Sequence, residues 1–164
     1  MTETTASVLG TVAMLLLKPV IIGLTLYIAY RLVKGRSTHD ARGPIQFDAE
    51  GGKTIPVMAA FAGVKGMPWW FAIASNNANP SLVIFSSGIR YRMIKKRERR
   101  FEEIERIEVR TAWKTVNIEM HFRGEMLTFA VNVGTLPAAQ AALVLFPATV
   151  PMSDRARAVL AGST

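Results

Sequence analysis

The chain contains no cysteine. This absence excludes disulfide cross-links, zinc sites with thiolate ligands, and thiol catalysis. Other reactive residues are scarce, since aspartate occurs only at Asp40, Asp48 and Asp154 and the chain has two histidines. The sequence has no nucleophile elbow of the G-x-S-x-G type and no phosphate-binding loop. We therefore expect a protein that is not an enzyme and that needs no cofactor.

A histidine and a carboxylate come together in one pattern. Glu119 and His121 are two residues apart in a predicted strand, so they share a face and could in principle share a metal ion. No third ligand stands at a useful spacing, and metal sites need three or four. The favoured interpretation is a solvated strand face, and no metal site is predicted. The other histidine, His39, lies in a glycine-rich segment.

Acidic side chains are also few, with 12 against 20 lysines and arginines, for a net charge of +8. A basic balance of this size suggests an anionic partner, either lipid headgroups or nucleic acid. Nucleic acid is the weaker option, because no platform of stacking aromatic side chains accompanies the charge.

The one long apolar run covers residues 8–33 and is mostly aliphatic. It exceeds the roughly 20 residues that a helix needs to cross a bilayer core. We therefore predict an N-terminal transmembrane helix within residues 1–34. Lys18 lies inside the run, and in a span of about residues 13–32 it would lie little more than a helical turn from one membrane surface. Two interpretations stay open for Lys18: its ammonium reaches the headgroup layer, or it pairs with an acidic group of another membrane subunit.

The charges that flank this run predict its orientation. Glu3 is the only charged side chain before it, whereas Arg31, Lys34, Arg36 and Arg42 lie at its other end. Positively charged flanks stay in the cytoplasm. We therefore expect a single-pass protein of the inner membrane, with the N-terminus outside and the remainder of the chain in the cytoplasm.

Four regions follow from the composition: residues 1–34 with the anchor, a linker over 35–66, a β domain over 67–147, and a tail over 148–164. The linker is rich in glycine, and its apolar stretches at 45–47 and 55–61 fit either short strands or a helical turn. A second span at 54–74 is rejected, because lysine, proline and glycine interrupt it and because it would export the basic segment that follows.

The β domain is predicted from apolar residues that alternate with polar ones. Short connections and half-polar strands favour an antiparallel meander. The predicted strands cover residues 69–74, 82–86, 89–94, 107–111, 116–122 and 127–133. The basic sequence KKRERR at 95–100 is interpreted as a connection.

The end of the domain has a helical pattern instead. Thr135 is a plausible N-cap and Pro137 falls in the first turn. Leu136, Ala139, Leu143 and Phe146 then repeat at helical spacing, up to Pro147. The sequence predicts an amphipathic helix that closes the sheet, followed by an exposed helical turn or two at 153–160.

A curved meander closed by a C-terminal helix resembles the pleckstrin-homology-like (PH-like) domains of bacteria. The resemblance rests on a glycine-containing hairpin with Gly88, Ile89 and Tyr91, then a charged connection, then Phe101 and Ile104 leading into the next strand. It covers about residues 69–146. The resemblance implies an α+β, mainly β fold, a PH-like meander or barrel, and a binding function, and many bacterial relatives are attached to membrane segments.

Residues 90–110 hold nine basic and five acidic side chains. One interpretation is a charged outer face without a ligand. The other is a surface that contacts anionic lipid. The candidate residues for this contact are Arg90, Arg92, Lys95, Lys96, Arg97, Arg99 and Arg100.

Trp69 and Trp70 are adjacent in a predicted strand, so one should face the core and the other should be exposed. An exposed tryptophan suits a membrane interface or a partner groove, and with Lys18 the pair is a candidate for partner contact. Two functions remain open. The first is a membrane-anchored, non-catalytic PH-like module that docks a protein or anionic lipid headgroups. The alternative is an accessory subunit of a larger inner-membrane complex.

Overall fold

The computed structural model describes residues 18, 22, 23, 27, 43–67, 74–76, 79–112 and 115–163. The chain divides into two compact units, Met1–Thr38 and His39–Thr164. The four described residues of the first unit are helical. Most of the predicted transmembrane segment lies outside the described residues. Within the described part of the chain, no helix has the length and apolarity required to cross a bilayer.

The second unit has ten described strands and two α-helices. The strands are Gln46–Phe47 (β1), Lys53–Ile55 (β2), Ala59–Val64 (β3), Ala74–Asn76 (β4), Ser81–Ile84 (β5), Gly88–Arg92 (β6), Lys96–Arg100 (β7), Ile104–Ala112 (β8), Thr115–Phe122 (β9) and Leu127–Asn132 (β10). The helices are Leu136–Leu143 (α1) and Asp154–Leu160 (α2).

The strands form two antiparallel five-stranded sheets, with the orders β1-β2-β5-β6-β7 and β4-β3-β10-β9-β8. The prediction of a mainly β, antiparallel domain with a C-terminal helix is confirmed. Neither sheet closes into a barrel among the described residues, so that part of the expectation is wrong. Apolar residues from both sheets and both helices share one core, which includes Leu82, Ile118, Val131 and Leu143.

Two segments differ from the sequence expectation. The first three strands lie within 35–66, where a linker was expected, with either short strands or a helical turn at 45–47 and 55–61. The strand interpretation is the one observed, and β3 pairs with β10 inside the second sheet. The sequence KKRERR was expected to be a connection, yet Lys96–Arg100 forms β7 and pairs with β6 along its length. The backbone hydrogen bonds with β6 stabilise this strand, and they do not depend on apolar side chains. The hydrophobic pattern of the sequence therefore did not predict it.

A bulge interrupts the pairing of β8 with β9. Ile104 lies opposite Phe122, whereas Arg106 lies opposite His121, so one extra residue stands between them on β8. The bulge lets Ile104 and Ile107 both face the core although they are three residues apart.

The C-terminal helices close the core. Thr135 caps α1 by accepting a hydrogen bond from the Ala138 amide at 3.3 Å, as predicted. The helix ends at Leu143 rather than at Pro147. The helix at 153–160 is also confirmed, but its predicted exposure is wrong for Ala156 and Val159, which are buried.

Candidate anionic-surface site

The basic residues of the β6–β7 hairpin lie on two faces because β7 is a regular strand. In the register of the pair, Arg97 lies opposite Tyr91 and Arg99 lies opposite Ile89. Tyr91 and Ile89 belong to the buried core, so Arg97 and Arg99 stand on the side of the sheet that faces the other sheet. Arg90, Arg92, Lys96 and Arg100 occupy the opposite side.

On the outer face, acidic groups neutralise Arg90. Its Nε donates to Glu98 Oε1 at 2.6 Å, and its Nη1 lies 3.5 Å from Glu50 Oε2. Its guanidinium carbon is also 4.7 Å from the centroid of the Phe85 ring. A hollow of about 550 Å³ beside it is lined by both signs of charge, including Arg100 and Glu103. This mixture gives the hollow no clear preference for an anion.

On the inner face, Arg99 is equally engaged. It forms an ion pair with Glu125 and lies 3.6 Å from Glu103. Its guanidinium carbon is 5.7 Å from the ring centroid of Phe122, so it also covers an aromatic face of the second sheet. Arg90 and Arg99 therefore stabilise the fold and are poorly placed to bind an external anion.

The other candidates remain available. Within the part of the chain that the structure describes, none of them forms an ion pair with an acidic side chain. Lys95, Lys96, Arg97 and Arg100 are exposed, and Arg92 is half-buried. The structure thus divides the predicted set into two structural arginines and five cations that can face a ligand. We call Lys95, Lys96 and Arg97, which are consecutive at the end of the hairpin, the basic hairpin.

A cleft of about 300 Å³ opens beside the basic hairpin, between the two sheets. Its aromatic lining comprises Tyr91, Phe122 and Phe129. The rings of Tyr91 and Phe129 have centroids 4.2 Å apart, and those of Tyr91 and Phe122 are 5.6 Å apart. Lys95 and Arg97 lie at the same cleft. Burial raises the pKa of the Tyr91 hydroxyl, while the charges of Arg99 and Arg97 act to lower it.

Large apolar side chains in and beside this cleft are exposed to solvent. Ile94, in the turn between β6 and β7, is 73% exposed. Met126 and Leu127, at the start of β10, are 67% and 41% exposed. Ile94 and Leu127 both line the cleft, which places these turns side by side.

Three acid and histidine side chains meet on the outer face of the second sheet. Ligand atoms of Glu108, Glu119 and His121 all lie within 4.8 Å of one another. The expectation that no third ligand accompanies Glu119 and His121 is therefore wrong, because the pairing of β8 with β9 sets Glu108 opposite Glu119. The expectation of a solvated face is also wrong for His121, which is buried.

Arginine occupies the space between these carboxylates. Arg110 donates to Glu108 Oε2 at 2.7 Å and lies 2.9 Å from Glu119 Oε2. Arg106 also pairs with Glu108, at 2.5 Å. His121 Nε2 is 3.3 Å from Glu119 Oε1 but lacks hydrogen-bond geometry. A metal ion would have to displace a guanidinium that already neutralises two carboxylates, so we interpret this group as an ion-pair network.

The predicted partner contacts are only in part described. Trp69 and Trp70 lie outside the described residues, as does most of the strand predicted for 69–74. Lys18 is helical and exposed.

Sequence reasoning missed the cleft and the exposed apolar turns. The cleft joins residues of β6, β9 and β10, which are distant in the sequence and meet only through the sheets. One local signal was present for Ile94: it follows Met93 directly and so breaks the alternation of apolar and polar residues just before two lysines.

No protein-family model matches the chain, and no curated protein is significantly similar to it.

Proposed function

We propose that this chain is a membrane-anchored, non-catalytic binding module whose β domain docks on anionic lipid headgroups through the basic hairpin. The observation that carries the proposal is that Lys95, Lys96 and Arg97 are consecutive, exposed, and without an acidic partner among the described residues. Each basic residue close to an anionic surface contributes about 1 kcal/mol before screening by salt. An anchor in the same membrane would raise the effective concentration of the surface.

The proposal includes a PH-like architecture and a location at the cytoplasmic face of the inner membrane. Two antiparallel sheets followed by a C-terminal helix support the first. The basic residues that follow the N-terminal apolar run support the second.

A flotation assay with the compact unit His39–Thr164 tests this function. We expect the unit to float with phosphatidylcholine vesicles that contain phosphatidylserine, to stay behind with phosphatidylcholine alone, and to detach as salt is added. The double variant Lys95→Glu, Lys96→Glu should lose this binding. Equal recovery with neutral and anionic vesicles would contradict the proposal.

A matched control separates local contact from net charge. Arg155→Glu, Arg157→Glu changes the net charge by the same amount on α2, where both side chains are exposed. This variant should bind like the natural sequence. An equal loss in both variants would mean that overall charge, and not the hairpin, drives the association.

The second candidate is an accessory subunit of a larger membrane complex. Lys18 favours it, because this lysine is exposed on a helix and has no acidic partner among the described residues. Co-purification of the full chain in mild detergent tests this candidate, since a stoichiometric partner lost on Lys18→Ala would support it.

A further inference from the structure

The second unit carries three neighbouring turns, at residues 65–67, 93–95 and 123–126, that present apolar side chains to solvent. The backbone amide of Lys65 donates to the carbonyl of Met126 at 2.8 Å, which joins the first turn to the third. The cleft lined by both Ile94 and Leu127 joins the second to the third. We call Met67, Ile94, Met126 and Leu127 the apolar tip.

Large contiguous patches of exposed apolar side chains are unusual on soluble monomeric proteins and commonly mark an interaction surface. Those of the apolar tip are between 41% and 73% exposed, and they come from three separate turns and the first residue of β10. Ile94 immediately precedes the basic hairpin and lines the same cleft as Lys95 and Arg97, so apolar and cationic groups share one surface.

The charges around the tip select one kind of partner. Arg99 forms an ion pair with Glu125, and Lys65 forms one with Glu105 at 2.5 Å. Two acidic side chains close to the apolar tip are therefore neutralised within the domain. The exposed side chains of the basic hairpin remain without acidic partners among the described residues. Exposed apolar side chains beside exposed cations match a bilayer surface with anionic headgroups above hydrocarbon.

We infer that the apolar tip inserts into the acyl-chain boundary of an anionic bilayer, while the basic hairpin contacts the headgroups. This inference rests on the proposed function and deepens it, because electrostatic contact alone would leave Ile94 and Met126 in water. Insertion buries apolar area that salt does not screen, so part of the binding becomes independent of ionic strength.

The test uses the full chain, which has no natural cysteine to compete for a label. Ile94→Cys and Met126→Cys are each labelled with an environment-sensitive fluorophore, and the protein is placed in nanodiscs of phosphatidylcholine with or without phosphatidylserine. With the anionic lipid we expect a blue shift and quenching by nitroxides on the acyl chains. The control is Val144→Cys, since Val144 is also apolar and 63% exposed but directly follows α1.

Each outcome has a definite meaning. The fluorophores at positions 94 and 126 could emit as in water, like the fluorophore at position 144, although the unit floats with anionic vesicles. This result would overturn the insertion and leave the electrostatic function intact. Failure of the unit to float would overturn both. A blue shift that grows with protein concentration and is not accompanied by quenching from the nitroxides would also overturn the insertion. It would show that a second copy of the chain, and not the bilayer, covers the apolar tip.

A second measurement does not depend on a label. The double variant Ile94→Asn, Met126→Gln is made in the unlabelled unit His39–Thr164. Its affinity for anionic vesicles should be at least roughly tenfold lower than that of the natural sequence, and salt should abolish the binding that remains. Both side chains are exposed, so the fold should not change. Unchanged affinity would overturn the insertion.

Discussion

Arg99 of β7 lies over the ring of Phe122 of β9, with 5.7 Å between the guanidinium carbon and the ring centroid. The two residues belong to different sheets, and the same arginine also forms an ion pair with Glu125 in the turn after β9. A single cationic side chain therefore ties the basic edge strand to the opposite sheet.

Replacement of Arg99 by alanine should lower the free energy of unfolding by about 1–3 kcal/mol, because it removes the cover of Phe122 and leaves Glu125 without its cation. Arg100→Ala is the matched control, since Arg100 is exposed and forms no ion pair with a described acidic side chain. Urea unfolding of both variants measures the difference. Equal stability of the two would mean that Arg99 has no such structural role.

Gly88 sets how closely β6 and β7 approach. A β-carbon built at Gly88 would lie 2.1 Å from the carbonyl oxygen of Arg99 and 2.8 Å from the α-carbon of Arg100. Gly88→Ala should therefore push β7 away and expose backbone amides of the hairpin, which hydrogen exchange would detect.

Gly124→Ala provides the comparison for this change. Gly124 has a φ of +70°, but a β-carbon there would meet nothing within 4 Å. Its cost should be about 1 kcal/mol from backbone strain alone, without faster exchange in β7. Faster exchange in β7 for both variants would contradict the explanation by close approach.

Leu143 and Val144 are neighbours with opposite environments, since Leu143 is fully buried and Val144 is 63% exposed. Leu143→Asp should destabilise the domain by about 4 kcal/mol or more, because it places an unpaired charge in the core. Val144→Asp should change stability little. Thermal melts followed by circular dichroism compare them, and a similar melting temperature for both variants would refute the burial of Leu143.

Acid should destabilise the domain through Glu119. Burial acts to raise the pKa of this carboxyl, but the polar side chains of His121 and Thr128 beside it and the charge of Arg110 outweigh that effect, so the pKa is lowered from its ordinary value. A lowered pKa in the folded state contributes stability that is complete above the ordinary pKa and is lost as the pH falls through the lowered value.

Melting temperatures measured from neutral pH down to about pH 3 test this effect. Glu119→Gln should melt at a lower temperature at neutral pH and should lose less stability on acidification. Glu102→Gln, a change on an exposed side chain, should keep the slope of the natural sequence. Parallel curves for all three proteins would rule out a contribution from Glu119.

Zinc should not stabilise the natural chain through Glu108, Glu119 and His121, because Arg110 bonds both carboxylates. Arg110→Ala would open the space between them, and added zinc should then raise the melting temperature of this variant by mass action. The triple variant Arg110→Ala, Glu119→Gln, His121→Ala should lose that response. A zinc-dependent rise in the natural protein would show instead that the metal can displace the arginine.

The sequence predicted the strands that alternate and missed the strand that does not. The alternating strand predicted at 116–122 is confirmed, and its apolar set Val116, Ile118, Met120 and Phe122 is buried, because one buried face imposes a period of two. β7 has no apolar residue, so its strand conformation depends on pairing with β6. The hydrophobic pattern of the sequence therefore does not predict this strand.

The candidate site depends on pairings that composition does not encode. The basic character of residues 90–100 was visible, but which cations are engaged depends on Glu125, Glu50 and the ring of Phe122, which come from other parts of the chain. Only the register of the strands and the packing of the sheets bring these groups to Arg90 and Arg99.

The bulge between Ile104 and Arg106 has an evolutionary consequence. Loss of Glu105 would leave Ile104 opposite Phe122 and Arg106 opposite His121 in a regular ladder, with Ile107 still facing the core. Loss of a single residue in the middle of β9 would instead turn part of the strand over and drive charged groups inward. Among descendants of this gene, a one-codon deletion in these two strands should therefore survive at the bulge and be purged from the middle of β9.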